Sequence, residues 1–200
     1  MTTANKVTIL RMLLIPFFVV EALYYVKTGN ETFRLMATLA FAIAAICDGV
    51  DGYIARHYNQ RSELGAILDP LADKLLLVSG IVLFTFDNHP RFGSIPLWLT
   101  GTILGRDLFL LVGWGLIQAI VGKVKVRPRV TGKIATVLQM LAIVWILLKW
   151  DAELPPVWFD IWTYGAAICT GISGLLYVWD GMKQLSSHPT SSASSENQPQ

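Results

Sequence analysis

Six long apolar stretches restrict the fold of this chain more than any other feature. They cover approximately residues 8–28, 33–52, 71–88, 95–121, 134–150 and 157–179, with turn-forming breaks such as Thr28-Gly29-Asn30 and Pro155-Pro156. A membrane-spanning helix needs about 20 mostly apolar residues. Only 15% of the residues are charged, against about 25% in ordinary soluble domains. The sequence therefore predicts an all-α, polytopic membrane protein with six transmembrane helices.

The distribution of Lys and Arg predicts how these helices are oriented. Twelve of the sixteen cations fall in segments that would open to one side of the membrane. Because cytoplasmic segments carry an excess of Lys and Arg, both termini are expected to face the cytoplasm. A bacterial inner membrane is the expected location. The net charge of +2 gives no indication of nucleic-acid binding.

The chain is predicted to form one membrane domain over residues 1–185, followed by a tail. Residues 186–200 are rich in Ser, Pro, Gln and Asn and have no apolar periodicity. Such a composition is typical of a disordered segment. The two cysteines, Cys47 and Cys169, are far apart in sequence, so no disulfide framework is predicted.

Four aspartates lie where the second predicted helix ends and the third begins: Asp48, Asp51, Asp69 and Asp73. Each pair has helical spacing, so its two members share one helix face. The 17 residues between Asp51 and Asp69 can form a short hairpin that brings both pairs together. Ionised carboxylates are costly near the membrane interior, and four of them would repel one another.

Two divalent cations would balance these four charges. Carboxylate oxygens favour Mg²⁺ or Mn²⁺ over zinc, and two such ions form the usual clamp for displacement at phosphorus. A second interpretation stays open, because buried carboxylates also form proton or cation relays in transporters. Small residues in this segment would leave room for a nucleotide, although helix packing alone also explains them; they are Gly49, Gly52, Ala55, Gly65 and Ala66.

The same segment has eight residues at fixed spacing, D-x-x-D-G-x-x-A-R-x8-G-x-x-x-D-x-x-x-D, running from Asp48 to Asp73. This pattern resembles the signature of the CDP-alcohol phosphatidyltransferases. The resemblance implies a six-helix membrane enzyme with a polar active-site cavity at the cytoplasmic interface. It implies that the enzyme transfers a phosphatidyl group from CDP-diacylglycerol to an alcohol and releases CMP.

The resemblance also implies roles for individual residues. Two divalent cations, Mg²⁺ or Mn²⁺, would be bound by Asp48, Asp51, Asp69 and Asp73. Asp73 would in addition act as general base on the attacking hydroxyl group. The CDP group would be bound by Asp51, Gly52, Ala55, Arg56 and Gly65, with lipid phosphate as an alternative partner for Arg56. Membrane lipid and a second copy of the chain are the further partners implied.

Cations that would suit an anionic acceptor alcohol are concentrated in the segment KVKVRPRVTGK, residues 123–133, which has five cations and no acid. This segment would either contact anionic lipid or bind the acceptor through Arg129 and Lys133. Arg106 adds a cation in the fourth predicted helix. A structural role for Arg106 and the adjacent Asp107 stays equally open.

Two further motifs resemble the branch of the family that uses glycerol 3-phosphate. The first, N-x-x-T-x-x-R, ends at Arg11, and the second, G-K-x-x-T-x-x-Q, covers Gly132 to Gln139. This resemblance implies glycerol 3-phosphate as the acceptor. Cardiolipin synthases, which use phosphatidylglycerol, stay open as the alternative, because Arg106-Asp107 is followed by the apolar run LFLLVGWGLI. The predicted acceptor ligands are Arg11, Arg106, Arg129 and Lys133.

Overall fold

The computed structural model describes residues 3–57, 63–86, 90–121 and 130–186. Within these ranges it does not describe the side chains of residues 3–6, 48–57, 63–67, 69–70, 114, 116–121, 151–152, 181 and 183–186. The described ranges contain helices and no β-strand, which confirms the all-α prediction. The helices are α1 (Thr3–Thr28), α2 (Glu31–His57), α3 (Glu63–Thr85), α4 (Leu97–Val121), α5 (Val130–Leu147), α6 (Trp150–Glu153) and α7 (Pro156–Ser186).

Each long helix overlaps one of the predicted apolar stretches, but α2 continues to His57, past the predicted end at residue 52, and α3 begins at Glu63, before the predicted start at residue 71. Because α2 ends at His57 and α3 begins at Glu63, both aspartate pairs lie within helices and only residues 58–62 separate the two. A continued helix keeps the backbone N–H and C=O groups hydrogen-bonded within the segment, which matters near a membrane. Of the predicted tail, residues 186–200, Ser186 is the last residue of α7, and the rest lies outside the described residues.

Three segments of the described helices are long and apolar enough to cross a membrane: Val7–Thr28, Val130–Leu147 and Pro156–Asp180. Large apolar side chains cover the outside of these helices, and Leu13 and Leu175 are 65% and 73% exposed. Monomeric soluble proteins rarely expose large contiguous apolar patches. The outer surface therefore suits contact with lipid. Membrane crossing by α2, α3 and α4 stays a prediction.

A tight turn joins α1 to α2, as the sequence predicts. Gly29 adopts the left-handed conformation, with φ +71°, and its N–H donates to the C=O of Tyr25 at 2.8 Å. This is a common way for a helix to end. Asn30 begins α2 as its N-cap, because its Oδ1 accepts a hydrogen bond from the N–H of Thr32 at 3.1 Å.

The helix α3 is central to the packing, since it contacts α1, α2, α4 and α5. It approaches α5 closely at Gly80, where an added Cβ would lie 2.7 Å from Cδ1 of Ile143. Aromatic rings of the core also pack at this helix, with ring centroids 5.0 Å apart for the buried Phe84 and Phe92. The core thereby fixes the helix that carries Asp69 and Asp73.

Charged side chains hold together the end of the bundle formed by the α1–α2 turn. Glu31 accepts hydrogen bonds from Arg34, from the Tyr25 hydroxyl at 3.0 Å and from Lys149 Nζ at 3.2 Å. Arg34 also donates to the C=O of Leu147, the last residue of α5, at 2.9 Å. The hydrogen bond from Arg34 contributes most to lowering the pKa of Glu31 to about 2. The pKa of Lys149 is raised, chiefly by the neighbouring Tyr25 side chain and also by its hydrogen bond to Glu31.

Candidate active site

Arg11 and Asp73 form an ion pair far from the α1–α2 turn, towards the opposite end of the bundle. Arg11 lies 17 positions before Thr28 at the turn, which is about 26 Å along α1. Nη1 of Arg11 donates to Oδ1 of Asp73 at 2.8 Å, and the Arg11 side chain is fully buried while that of Asp73 is 39% exposed. A charge-assisted hydrogen bond from a buried guanidinium restricts the orientation of the carboxylate. The structure therefore joins the N-terminal motif to the predicted general base.

For the other three predicted metal ligands, the structure describes only the helix that carries each residue. Asp48 and Asp51 are on α2, Asp69 is on α3 with Asp73, and the two helices are in contact. The side chains of these three aspartates lie outside the described residues, and so do those of the predicted CDP-binding residues Gly52, Ala55, Arg56 and Gly65. Among the side chains that are described, no group of three or more His, Cys, Asp or Glu could hold a metal ion. The metal centre and the CDP site stay predictions.

Arg106 of α4 packs against side chains of α4 and α7 and lies close to Gly132 of α5. Its Nη1 donates to Oδ1 of Asp107 at 2.7 Å, and its Nη2 donates to Oγ of Ser173 at 2.8 Å. The guanidinium carbon lies 5.9 Å from the centroid of the Tyr177 ring. On α5, a Cβ added to Gly132 would lie 3.2 Å from Nη2. The structure thus brings one predicted acceptor ligand together with the first residue of the second motif.

Asp107 links Arg106 to α3, the helix that carries Asp69 and Asp73. It accepts a hydrogen bond from Lys74, the residue that follows Asp73 on α3. The side chain of Asp107 is only 14% exposed. One largely buried carboxylate therefore lies between two cations, Lys74 and Arg106. The sequence left the partner of Asp107 open, because helical geometry places adjacent residues about 100° apart; the long Arg106 side chain nevertheless reaches back to it.

The structure describes only one of the two remaining predicted acceptor ligands, Arg129 and Lys133. Lys133 is exposed on the first turn of α5, and Arg129 lies outside the described residues. The polar residues of the second motif contribute to packing: Nε2 of Gln139 donates to Oγ1 of Thr170 at 2.9 Å and so joins α5 to α7. Oγ1 of Thr136 donates to the C=O of Gly132 at 3.0 Å within α5.

Two residues that contact Arg106 were not identified from the sequence. Ser173 and Tyr177 are on α7, far from both motifs and from the signature. Their only sequence signal is the i,i+4 spacing of two polar side chains in an apolar helix, which places them on one face. That spacing does not tell which neighbouring helix the face contacts.

Comparisons with known proteins identify the family. Residues 1–175 match the family model described as CDP-alcohol phosphatidyltransferase. The CDP-diacylglycerol–glycerol-3-phosphate 3-phosphatidyltransferase of Escherichia coli (strain K12) is 32% identical over 182 residues, 90% of each chain. The protein of the same name from Salmonella typhimurium (strain LT2) is 33% identical over 182 residues, also 90% of each chain. The chain belongs to the CDP-alcohol phosphatidyltransferase family.

This membership confirms the family resemblance and decides between enzyme and transporter. The chain is a phosphatidyltransferase, so the interpretation of the aspartates as a transporter relay is not supported. The three membrane-length apolar helices and the similarity to these relatives make it an integral membrane protein.

Proposed function

We propose that this chain transfers the phosphatidyl group of CDP-diacylglycerol to glycerol 3-phosphate, giving phosphatidylglycerophosphate and CMP. The observation that carries the proposal is the Arg11–Asp73 ion pair. It joins the signature to the N-terminal motif that resembles the glycerol 3-phosphate branch, in a chain whose relatives are named for this reaction.

The donor chemistry of the four aspartates fits two divalent cations, Mg²⁺ or Mn²⁺. Asp48, Asp51, Asp69 and Asp73 supply carboxylate oxygens, which these ions prefer, from two helices in contact. The Asp73 carboxylate combines partial exposure with one oxygen fixed by Arg11, so it is both accessible and oriented. When bound, such ions neutralise charge that develops on the departing phosphate.

Asp73 is the proposed general base. An alcohol is barely ionised at neutral pH, so a carboxylate in contact with its hydroxyl group takes the proton as attack proceeds. A new bond then forms between the acceptor oxygen and phosphorus, while the bond from phosphorus to the CMP oxygen breaks. Arg11 would hold Asp73 in position for this step.

The two substrates are proposed to bind on either side of Asp73. The CDP group would contact Asp51, Gly52, Ala55, Arg56 and Gly65 on α2 and α3. The anionic acceptor would contact Arg106, Arg129 and Lys133. For Arg11, full burial against Asp73 supports a role in orienting the base more directly than the predicted contact with the acceptor.

We further propose that six helices cross a bacterial inner membrane, with both termini and the active site facing the cytoplasm. Support comes from the sequence, in which twelve of the sixteen Lys and Arg residues, Arg11, Lys74 and Arg106 among them, fall in segments that would open to one side, because cations concentrate on the cytoplasmic side. The domain limits of residues 1–185 and the homodimer stay predictions.

One observation favours cardiolipin synthesis from phosphatidylglycerol as a second candidate. On α4, the residues just after Asp107 are apolar and face outward, with Leu108 and Phe109 exposed by 63% and 70%. In a membrane such a face contacts acyl chains. An acceptor that carries its own acyl chains could therefore approach Arg106 along this face.

The experiment that tests the proposal measures CMP release by the purified protein in mixed micelles with CDP-diacylglycerol and Mg²⁺. Glycerol 3-phosphate and phosphatidylglycerol are compared as acceptors, each with and without a chelator. Release that requires glycerol 3-phosphate, stops with chelator and is lost in Asp73→Asn supports the proposal. Asp160→Asn, an exposed carboxylate near the start of α7, is the matched control. Release with phosphatidylglycerol alone would replace the proposal by the second candidate.

A further inference from the structure

The guanidinium of Arg106 is held in place by a helix that carries none of the family motifs. Only 12% of the Arg106 side chain is exposed. Ser173 accepts from Nη2, and the Tyr177 ring lies under the guanidinium carbon, at a distance typical of a cation–π contact. Both residues are on α7, and Ser173 is fully buried. This geometry fixes the plane of the guanidinium with respect to α7.

The Arg106 side chain has little space around it, tightest where Gly132 of α5 faces the guanidinium. A Cβ added to Gly132 would lie 3.2 Å from Nη2 of Arg106 and 3.3 Å from Oγ of Ser173. A Cβ added to Gly174 would lie 3.4 Å from Cγ of Arg106. Glycine at position 132 thus lets α5 approach Arg106 and Ser173 together.

Part of the hydrogen-bonding capacity of this group remains unused. A guanidinium has five N–H donors, and within the described part of the chain the buried Nε of Arg106 has no hydrogen-bond partner. The buried Oγ1 of Thr131, next to Gly132 in sequence, has none there either. Asp107 compensates two cations, Arg106 and Lys74. Buried polar groups without partners are costly, and a phosphate group of a ligand would provide acceptors and negative charge.

We propose that Ser173, with the Tyr177 ring and Gly132, positions Arg106 so that its remaining N–H donors bind the phosphate group of the acceptor alcohol. Ser173 acts through Arg106 and is a positioning residue. The inference rests on the proposed function, since it requires an acceptor with a phosphate group. Both glycerol 3-phosphate and phosphatidylglycerol meet that requirement.

The test compares Ser173→Ala with Thr163→Ala on the same helix. Thr163 is equally buried, but its hydroxyl donates to the C=O of Asp160 at 2.9 Å, far from Arg106. For Ser173→Ala we expect the KM for the acceptor to rise about tenfold, while the KM for CDP-diacylglycerol and kcat change less than twofold. Such a pattern indicates loss of binding that is equal in ground and transition states. Thr163→Ala should leave all three parameters unchanged.

A second pair of variants tests the contact between α5 and the Arg106 guanidinium. Gly132→Ala, whose new methyl group would press on Nη2 of Arg106, should also raise the acceptor KM. Gly171→Ala is its control, because a Cβ at position 171 meets nothing within 4 Å. The binding of each acceptor is measured independently of turnover as the shift in thermal unfolding of each variant at increasing acceptor concentration.

The outcomes separate the inference from the proposed function. If the wild type uses only phosphatidylglycerol, the proposed function fails, and a raised KM for phosphatidylglycerol in Ser173→Ala still supports the inference. If glycerol 3-phosphate is used but Ser173→Ala and Gly132→Ala leave its KM unchanged, the inference is overturned and the proposed function stands. An equal rise in KM for both substrates would show a purely structural role and would also overturn it. If neither acceptor supports turnover or shifts unfolding, both fail.

Discussion

Arg11 and Asp73 are 62 residues apart in sequence, yet Nη1 of the first lies 2.8 Å from Oδ1 of the second. The pair connects the beginning of α1 with the signature helix α3. Its asymmetry matters: the guanidinium is fully buried, whereas the carboxylate is 39% exposed. The buried Arg11 restricts the orientation of the carboxylate, and the partial exposure of Asp73 is what its proposed role as general base requires.

Replacing Arg11 by Gln should lower kcat by roughly 10- to 150-fold, because hydrogen bonds to charged groups contribute about 1.5–3 kcal/mol and about 1.4 kcal/mol corresponds to a tenfold change in rate. The KM for glycerol 3-phosphate should change little. Steady-state measurements of CMP release check this. Arg34→Gln, which removes an ion pair at the other end of the bundle, is the matched control. A raised KM with unchanged kcat would instead make Arg11 an acceptor ligand.

Replacing Asp107 by Asn should destabilise the protein by about 2 kcal/mol and reduce activity. The carboxylate is 14% exposed and compensates both Lys74 and Arg106, so its neutralisation leaves two cations close together. Thermal unfolding in detergent, followed beside CMP release, measures both effects. An unchanged unfolding temperature would show that this carboxylate contributes little to joining α3 and α4.

The stabilising effect of Glu31 should depend on pH. The pKa of Glu31 is lowered from 4.5 to about 2. A lowered pKa means that the carboxylate stabilises the fold above pH 4.5 and loses this contribution as the pH falls towards 2. Because the side chain is 53% exposed, Glu31→Gln should cost less than about 1 kcal/mol at pH 7.

Thermal unfolding of wild type and Glu31→Gln at a series of pH values checks this prediction. The difference between them should be constant between pH 5 and pH 8 and should shrink steadily below pH 4.5. Glu153→Gln, an exposed carboxylate on α6, provides the comparison. A difference that persists at the lowest pH would mean that Glu31 stabilises the turn through packing and not through its charge.

Gly29→Ala should destabilise the α1–α2 turn by about 1–2 kcal/mol. The backbone at Gly29 has φ +71°, a conformation that costs other residues roughly this amount. A Cβ there would also clash with Cζ of Arg91, so the exposed Arg91 side chain must move. Gly101→Ala on α4, where a Cβ meets nothing within 4 Å, should be neutral or slightly stabilising. Equal unfolding temperatures for the two variants would contradict the prediction.

The sequence predicted the helices better than their contacts. Apolar stretches and the residues between them gave the positions of the six long helices, and the Gly29 turn followed from local chemistry. Within one helix, periodicity shows which residues share a face. It does not show which other helix that face meets, so the pairing of Arg11 with Asp73 and of Lys74 with Asp107 could not be predicted.

Most of the candidate-site residues that were predicted belong to a sequence motif. Asp73 and Arg11 belong to recognisable patterns, and so does Gly132. Ser173 was missed because a single Ser in an apolar helix is equally expected at a packing interface. Its relation to Arg106 depends on how α7 rotates against α4, and that rotation is set by the whole core.

The close approach of α3 and α5 restricts how relatives of this chain can vary. A Cβ at Gly80 would come within 2.7 Å of the fully buried Ile143, so neither position can gain volume unless the other loses it. We therefore expect the two positions to covary, with Ala at 80 accompanied by Val or a smaller residue at 143. Substitution at one position alone would push apart the helix that carries the aspartates and the helix that begins beside Arg106.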